Sequence, residues 1–353
     1  MAIRVLQWSS GRVGKASARA LLARPKEFEL AGLGVYGNAK VGVDIGEILG
    51  QNPIGHAAVS VNELARMPAD CVVHTPKGEF NPDQTVDEVC ALLASGKNVC
   101  STGLMSLIHP RLMADAHRKK IEAACQEGGT TFHATGINPG FFAEVVTLML
   151  SGICQDVERI YAAEIYDYSA HTSRATIVDL LKFGLPPNQV HRLSTARVSQ
   201  ADPGIQILAD AMSISIDNVT HEYENTIAEE SFDIAATHIE AGTNAGYRNI
   251  FRAFERGQER ICFEFIGRAA AHVAPDWPAP AREGLHRWEN RLYGTPNVVS
   301  SIEAGMDDRE GTSGSAATAM RAVNAIAAVC AAPPGIVTIL DLGLLRAPMR
   351  ALR

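Results

Sequence analysis

The stretch Val5-Leu6-Gln7-Trp8-Ser9-Ser10-Gly11-Arg12-Val13-Gly14 decides how this chain is read. The apolar run Ile3 to Gln7 predicts a buried strand, and the Ala- and Leu-rich run Val13 to Ala23 predicts a helix directly after it. Between them stands the G-x-G-x-x-G pattern with Ser9 in place of the first glycine. Gly11 would let the backbone approach a pyrophosphate, and Gly14 would let the helix pack close to the strand. The helix N-terminus near Arg12 offers N–H groups and a positive dipole end to phosphates. Ser9, Ser10, Gly11, Arg12, Val13 and Gly14 are therefore expected to bind a dinucleotide. The competing reading is a plain strand-to-helix turn.

Cofactor choice is read at the end of the next expected strand, Glu29 to Tyr36. A chain that binds NAD typically places Asp or Glu there, about 20 residues on, to hold the ribose 2′-hydroxyl. Here the run is Gly34-Val35-Tyr36-Gly37-Asn38-Ala39-Lys40, with no carboxylate before Asp44. Asn38, Lys40 and Arg12 could instead take a 2′-phosphate, so NADP(H) is expected over NAD(H). A solvated loop lysine is the alternative for Lys40.

Working outward, expected strands at Asp70 to His74, Asn98 to Cys100 and Thr131 to His133 alternate with expected helices at Asp83 to Ala94 and Pro110 to Glu127. That alternation implies βαβ units and a parallel sheet, with ligands outside the carboxyl ends of its strands. Thr75 and Pro76 follow one such strand and Thr102 another. They are candidates to flank the nicotinamide or line its wall. The segment His133-Ala134-Thr135-Gly136-Ile137-Asn138-Pro139-Gly140-Phe141 brackets Asn138 with two glycines and a proline. Gly136 and Asn138 are candidate nicotinamide contacts, or parts of a hinge into an apolar helix from Phe142 to Leu150. His133 is either a proton donor or a core histidine.

The pattern changes near residue 152. Arg159 to Ile165 predicts a strand and Thr176 to Phe183 a short helix. Thr220 to Ile227, Ile234 to Ala241, Tyr247 to Glu255 and Glu259 to Arg268 predict antiparallel strands of one sheet, with Gly257-Gln258 a hairpin turn. A polar group from Glu164 to Arg174 includes Tyr168 and His171, candidate proton donors or members of a polar loop. Ser313 to Cys330 predicts a helix stopped by Pro333-Pro334-Gly335. The expected fold is α/β: an N-terminal Rossmann domain with a parallel sheet, and a C-terminal α+β domain with a mixed or antiparallel sheet. The expected divisions are 1–152 for the dinucleotide, 153–310 for substrate and dimerisation, and 311–353 for a helix and tail returning to the first domain.

Composition narrows the class. The 353 residues suggest about two domains at roughly 150 residues each. At 46% hydrophobic and 20% charged the chain is not globally disordered, and a net charge of -7 offers no basic face for nucleic acid. Seven cysteines without a C-x-x-C pair read as small buried hydrophobes in a reducing compartment, and no metal site is expected. No apolar run reaches the roughly 18 residues that span a bilayer, and no leader precedes the first strand. The expected protein is cytoplasmic, without membrane contact, and acts on a small molecule.

These motifs resemble the dihydrodipicolinate-reductase-like family, in the branch of 2,4-diaminopentanoate dehydrogenase and the native amine dehydrogenases. The resemblance rests on Val5 to Gly14, Lys40-Val41-Gly42-Val43-Asp44-Ile45-Gly46-Glu47, Ser95-Gly96-Lys97-Asn98-Val99, Gly136 to Phe141, and the tail from Ala319 to Ile336. It implies a nicotinamide cofactor in an interdomain cleft, a second-domain sheet that forms a homodimer interface, and Tyr168 in a pocket wall. Two departures bear on activity. The segment His133 to Phe141 lacks the lysine of the reductase signature. The stretch Gly103-Leu104-Met105-Ser106 lacks the glutamate that holds the amine in the amine dehydrogenases. A protonated amine would there meet an apolar wall. The expected activity is hydride transfer between the nicotinamide and a C=O or C=N bond of a small to medium, largely apolar substrate. Reductive amination and a dinucleotide sensor without turnover are the alternatives.

Overall fold

The computed structural model describes residues 1–190, 193–304 and 313–349, with the backbone alone at 193–202 and 313. Two compact units result: residues 1–137 with 315–353, and residues 138–314.

The first unit begins with β1 (Ile3–Trp8), α1 (Arg12–Leu22) and β2 (Phe28–Val35), followed by the short β3 (Val59–Ser60) and β4 (Cys71–His74). Then come α2 (Pro82–Ala94), β5 (Asn98–Ser101), α3 (Asp115–Gly128) and β6 (Thr131–Ala134). The helix expected over Pro110 to Glu127 is interrupted: a 3-10 turn covers Pro110–Leu112, and Met113 and Ala114 are extended before α3 begins. Buried Gly14, Ser17, Ala18 and Leu21 form one stripe of α1, the spacing that turns a helix face onto a sheet.

The second unit has β7 (Asp156–Asp167), α4 (Leu193–Met212), β8 (Asn218–Ile227), β9 (Phe232–Ile234), β10 (Thr237–Ile239), β11 (Asn244–Glu255), β12 (Gln258–Arg268), β13 (His286–Thr295) and β14 (Val298–Ala304). Its main sheet runs β14-β13-β7-β12-β11-β8. β7 and β12 are parallel and the other neighbours antiparallel, so the sheet is mixed. The run Ile234 to Ala241 is not a strand of this sheet. It contributes to a separate two-stranded ribbon of β9 and β10. The β11–β12 turn is Arg256-Gly257, one residue earlier than expected, and both residues have positive φ, the requirement of a tight primed hairpin turn.

The chain then returns through α5 (Ser313–Ala331) to β15 (Gly335–Val337), which pairs with β6. The first-unit sheet is fully parallel, in the order β15-β6-β5-β4-β1-β2-β3. Within its core Val5, Val73 and Cys100 pack with Val323, Ile326 and Val329 of α5. The α5 segment Gly314–Ala331 is long and apolar enough by composition to cross a membrane, but these side chains are buried in the core. All seven cysteines are free thiols.

The first-unit division falls at 137/138 rather than at 152. The reason is packing: Phe142 stacks on Trp288, and Thr147 bonds Asn290, so Phe142–Ser151 belongs to the second sheet. This segment opens as a π-helical turn, Phe142–Val146, before its α-helical part. The expected division at 310/311 lies outside the described residues.

Candidate active site

The carboxyl edge of the first sheet is assembled by its own side chains. Gln7, fully buried at the end of β1, donates from Nε2 to the carbonyls of Trp8 at 3.0 Å and Ser9 at 3.2 Å, and to Thr75 Oγ1 at 2.9 Å. Thr75 donates to the Trp8 carbonyl, and Ser9 donates to the Thr75 carbonyl. Ser9 adopts φ 79°. Ser9 and Thr75 are thus scaffold residues of the loop, engaged inward. Ser10, Gly11, Arg12 and Val13 retain exposure.

A Cβ at Gly14 would lie 2.2 Å from the Ser9 carbonyl oxygen, whereas one at Gly11 would meet nothing within 4 Å. Close packing at Gly14 and open space at Gly11 are the roles those positions have in a dinucleotide loop. No side chain caps α1 and no acid stands in its first turn, so its positive end is available to an anion. The residues present fit the phosphates of a dinucleotide.

Lys40 lies in the 3-10 turn Asn38–Lys40 just past β2, and its Nζ donates to Ser10 Oγ at 3.2 Å. Asp44, the first carboxylate after β2, accepts from the N–H groups of Gly46, Ile54 and Gly55. Those bonds, led by that of Ile54, hold its carboxyl below the usual range. It acts as a loop and helix cap.

Pro76 packs where a Cβ on Gly103 would fall, at 3.0 Å, and Thr102 N–H donates to the His74 carbonyl at 2.9 Å. Gly136 is buried just past β6. Beside it Thr135, 1% exposed, has a hydroxyl without a hydrogen-bond partner, a position the sequence reading passed over. His133 is fully buried within the sheet, and its Nδ1–H donates to the Val337 carbonyl at 2.9 Å. Burial pushes its pKa down to about 4, so the ring is neutral. The loop after β5 has no acid of its own, yet a carboxylate reaches it: Glu79 Oε1 accepts from Met105 N–H at 2.7 Å.

The second unit gathers the other polar group. Register sets Glu164 of β7 opposite Trp288 of β13, and Tyr166 opposite His286. Glu164 accepts from Trp288 Nε1 at 3.1 Å and from Asn138 Nδ2 at 3.0 Å. Phe142 lies flat on Trp288, with centroids 4.0 Å apart. These four residues and Asn290 line a pocket. Asn290, 1% exposed, accepts from Thr147, while its Nδ2 has no partner. Tyr168 stacks on Tyr166 and meets Tyr247 hydroxyl to hydroxyl at 3.3 Å. His171 Nδ1 accepts from Ser173 N–H at 3.2 Å, which leaves the ring proton on Nε2 when it is neutral. Tyr168 and His171 are neighbours, with ring centroids 5.9 Å apart. His133 belongs to the other unit. Trp288, His286 and Asn290 had no signal in the sequence, because only strand pairing brings them to β7.

The family described as 2,4-diaminopentanoate dehydrogenase C-terminal domain matches residues 141–353. An amine dehydrogenase of Streptomyces virginiae is 30% identical, over 97% of this chain and 96% of its own length. This chain belongs to the 2,4-diaminopentanoate dehydrogenase and amine dehydrogenase family. Members of the family are dehydrogenases by name, and the chain is an oxidoreductase. Among solved structures, amine dehydrogenase from Mycobacterium smegmatis matches with a TM-score of 0.76 at 19% identity, covering 99% of this chain and 98% of that one. Myo-inositol 2-dehydrogenase from Lactobacillus plantarum matches at 0.53 and 11% identity, covering 97% and 93%. At those identities the likeness is one of fold. It agrees with the α/β architecture expected from the sequence, a parallel Rossmann-type sheet followed by a mixed sheet.

Proposed function

We propose that this member of the family prefers NADPH and reduces a C=O or C=N bond of a small to medium, largely apolar substrate. The observation that carries the NADPH preference is the Lys40–Ser10 bond across the first two loops, with Asp44 engaged elsewhere. Lys40, Ser10, Asn38 and Arg12 would hold the 2′-phosphate, and the N–H groups from Gly11 to Gly14 the pyrophosphate. When bound, the nicotinamide supplies the hydride. Thr75 and Pro76 would shape the wall beside it, with Thr102 and Gly136. The Asn138 amide nitrogen is held by Glu164, leaving its oxygen as an acceptor.

Phe142 and Trp288, stacked face to face, would form one apolar wall beside the substrate. The proton would come from the Tyr168–His171 pair, with the partly exposed His171 as its outer member. His133 is assigned to the sheet. The protein is read as a cytoplasmic homodimer without membrane or nucleic-acid partners. Dimerisation would use the outer face of the second sheet. Ala143, Ile177, Ile205 and Leu208, from the helical segments of this unit, pack into the core on the opposite face.

A second reading, reductive amination, is favoured by Glu79. Its carboxylate at Met105 N–H would place an acid where the loop sequence has none. The test is NADPH consumption with cyclohexanone, cyclohexenone, and cyclohexanone plus ammonium. Carbonyl reduction that survives Glu79→Gln supports the first reading. Turnover that requires ammonium and is lost in Glu79→Gln supports the second. Bound NADPH with no turnover across a broad carbonyl and imine panel contradicts both.

A further inference from the structure

The carboxyl ends of β5, β4, β1 and β2 stand side by side in the first sheet. Chain order reverses between β4 and β1, the switch point outside which open α/β sheets bind ligands. One continuous set of hydrogen bonds crosses all four ends, and its hub is not on a strand. Glu88 projects from α2. Its Oε2 is 2.7 Å from the Tyr36 hydroxyl and 3.4 Å from His74 Nε2, and its Oε1 accepts from Gln84 Nε2 at 2.9 Å. Tyr36 in turn accepts from Trp8 Nε1 at 2.8 Å. His74 Nδ1 is 3.0 Å from Ser101 Oγ, and Ser101 Oγ accepts from Gly103 N–H at 3.1 Å.

The donors in this chain have only one consistent direction. Burial works against the Glu88 charge, but the bonds from His74, Tyr36 and Gln84 outweigh it and hold its pKa below the usual carboxylate value. An ionised carboxylate only accepts. His74 must then donate from Nε2. Burial keeps that ring neutral against the opposing pull of Glu88, so Nδ1 is bare and accepts from the Ser101 hydroxyl. With its proton committed to His74, Ser101 Oγ is left as the acceptor for Gly103 N–H.

We propose that Glu88 is the positioning residue of the dinucleotide edge: one carboxylate fixes the Tyr36 hydroxyl beyond β2 and, through His74 and Ser101, the Thr102-Gly103 turn beyond β5. This rests on the reading that the edge carries the dinucleotide. Tyr36 is half-exposed, so the hub sets the surface offered at the ribose end and the backbone offered two strands beyond the switch point. Bonds to charged groups are strong enough for their loss to change affinity about tenfold.

The experiment has two arms. Ring 15N spectra of His74 in the intact protein should show a neutral ring protonated at Nε2. NADPH titration should show binding weakened about tenfold in Glu88→Ala, with most of the loss recovered in Glu88→Gln. Should Glu88→Ala not fold, Tyr36→Phe serves in its place. It removes both bonds of the Tyr36 hydroxyl, to Glu88 and from Trp8 Nε1, and should shift Trp8 emission and weaken NADPH binding. A His74 proton on Nδ1, in protein that binds NADPH normally, overturns the relay. So does wild-type affinity in folded Glu88→Ala, or in Tyr36→Phe with unaltered emission. Wild-type protein that binds neither NADPH nor NADH would defeat the cofactor reading itself, a separate failure visible before any variant is made.

Discussion

The Lys40 ammonium stands 3.2 Å from the Ser10 hydroxyl, joining the loop beyond β2 to the loop beyond β1. Both residues are at least partly exposed. A cation held there by a neutral hydroxyl is not neutralised, and a phosphate arriving between the loops would find it already placed.

Gly14 and Gly11 should respond differently to the same methyl group. Gly14→Ala forces a carbon onto the Ser9 carbonyl. It should cost about 1–3 kcal/mol of stability and abolish binding of both nucleotides. Gly11→Ala meets open space, so its melting temperature should stay near wild type while nucleotide affinity falls. Thermal melts paired with titrations check this. Equal melting temperatures for the two variants would contradict the packing argument.

Stability should fall on mild acidification because of His133. The unfolded ring takes a proton below about pH 6.5, whereas the folded ring resists until about 4. The stabilisation is complete above the unfolded value and is lost as pH drops through that window. The neutral, buried His74 acts in the same direction. Between pH 7 and pH 5 the loss from His133 should be on the order of 2 kcal/mol. Urea unfolding at both values should show it, and His133→Gln should flatten the difference.

The proton-donor assignment separates chemistry from binding. His171→Ala should lower kcat roughly 100-fold or more with NADPH affinity unchanged. Tyr168→Phe, which breaks the contact with the Tyr247 hydroxyl, should lower kcat less. Loss of NADPH binding in His171→Ala would remove His171 from the proton-transfer role.

Legibility in the sequence differed between the two units, for physical reasons. In the first, fully buried parallel strands such as Cys71–His74 are short apolar runs, and Gly11 and Gly14 punctuate the first turn, so strands, helices and phosphate loop could all be read. The second resisted. Pro203-Gly204 looks like a turn but lies inside α4. β13 alternates Trp288 and Asn290 with Arg287, Glu289 and Arg291, which pair with one another, and so dense a run of charge gave no strand signal. Phe232–Ile234 and Thr237–Ile239 are too short and close to be told from one strand. Glu88 was invisible for another reason. On a helix it reads as a solvated charge, and only the fold brings it to His74 and Tyr36.

The first unit is read as binding a dinucleotide by its 2′-phosphate. Fluorescence titration of wild-type and Lys40→Ala protein with NADPH and NADH tests it most directly. Wild type should bind NADPH about tenfold more tightly than NADH, and Lys40→Ala should erase that gap while leaving NADH affinity alone. Tighter binding of NADH by wild type, or an undiminished gap in Lys40→Ala, would contradict it.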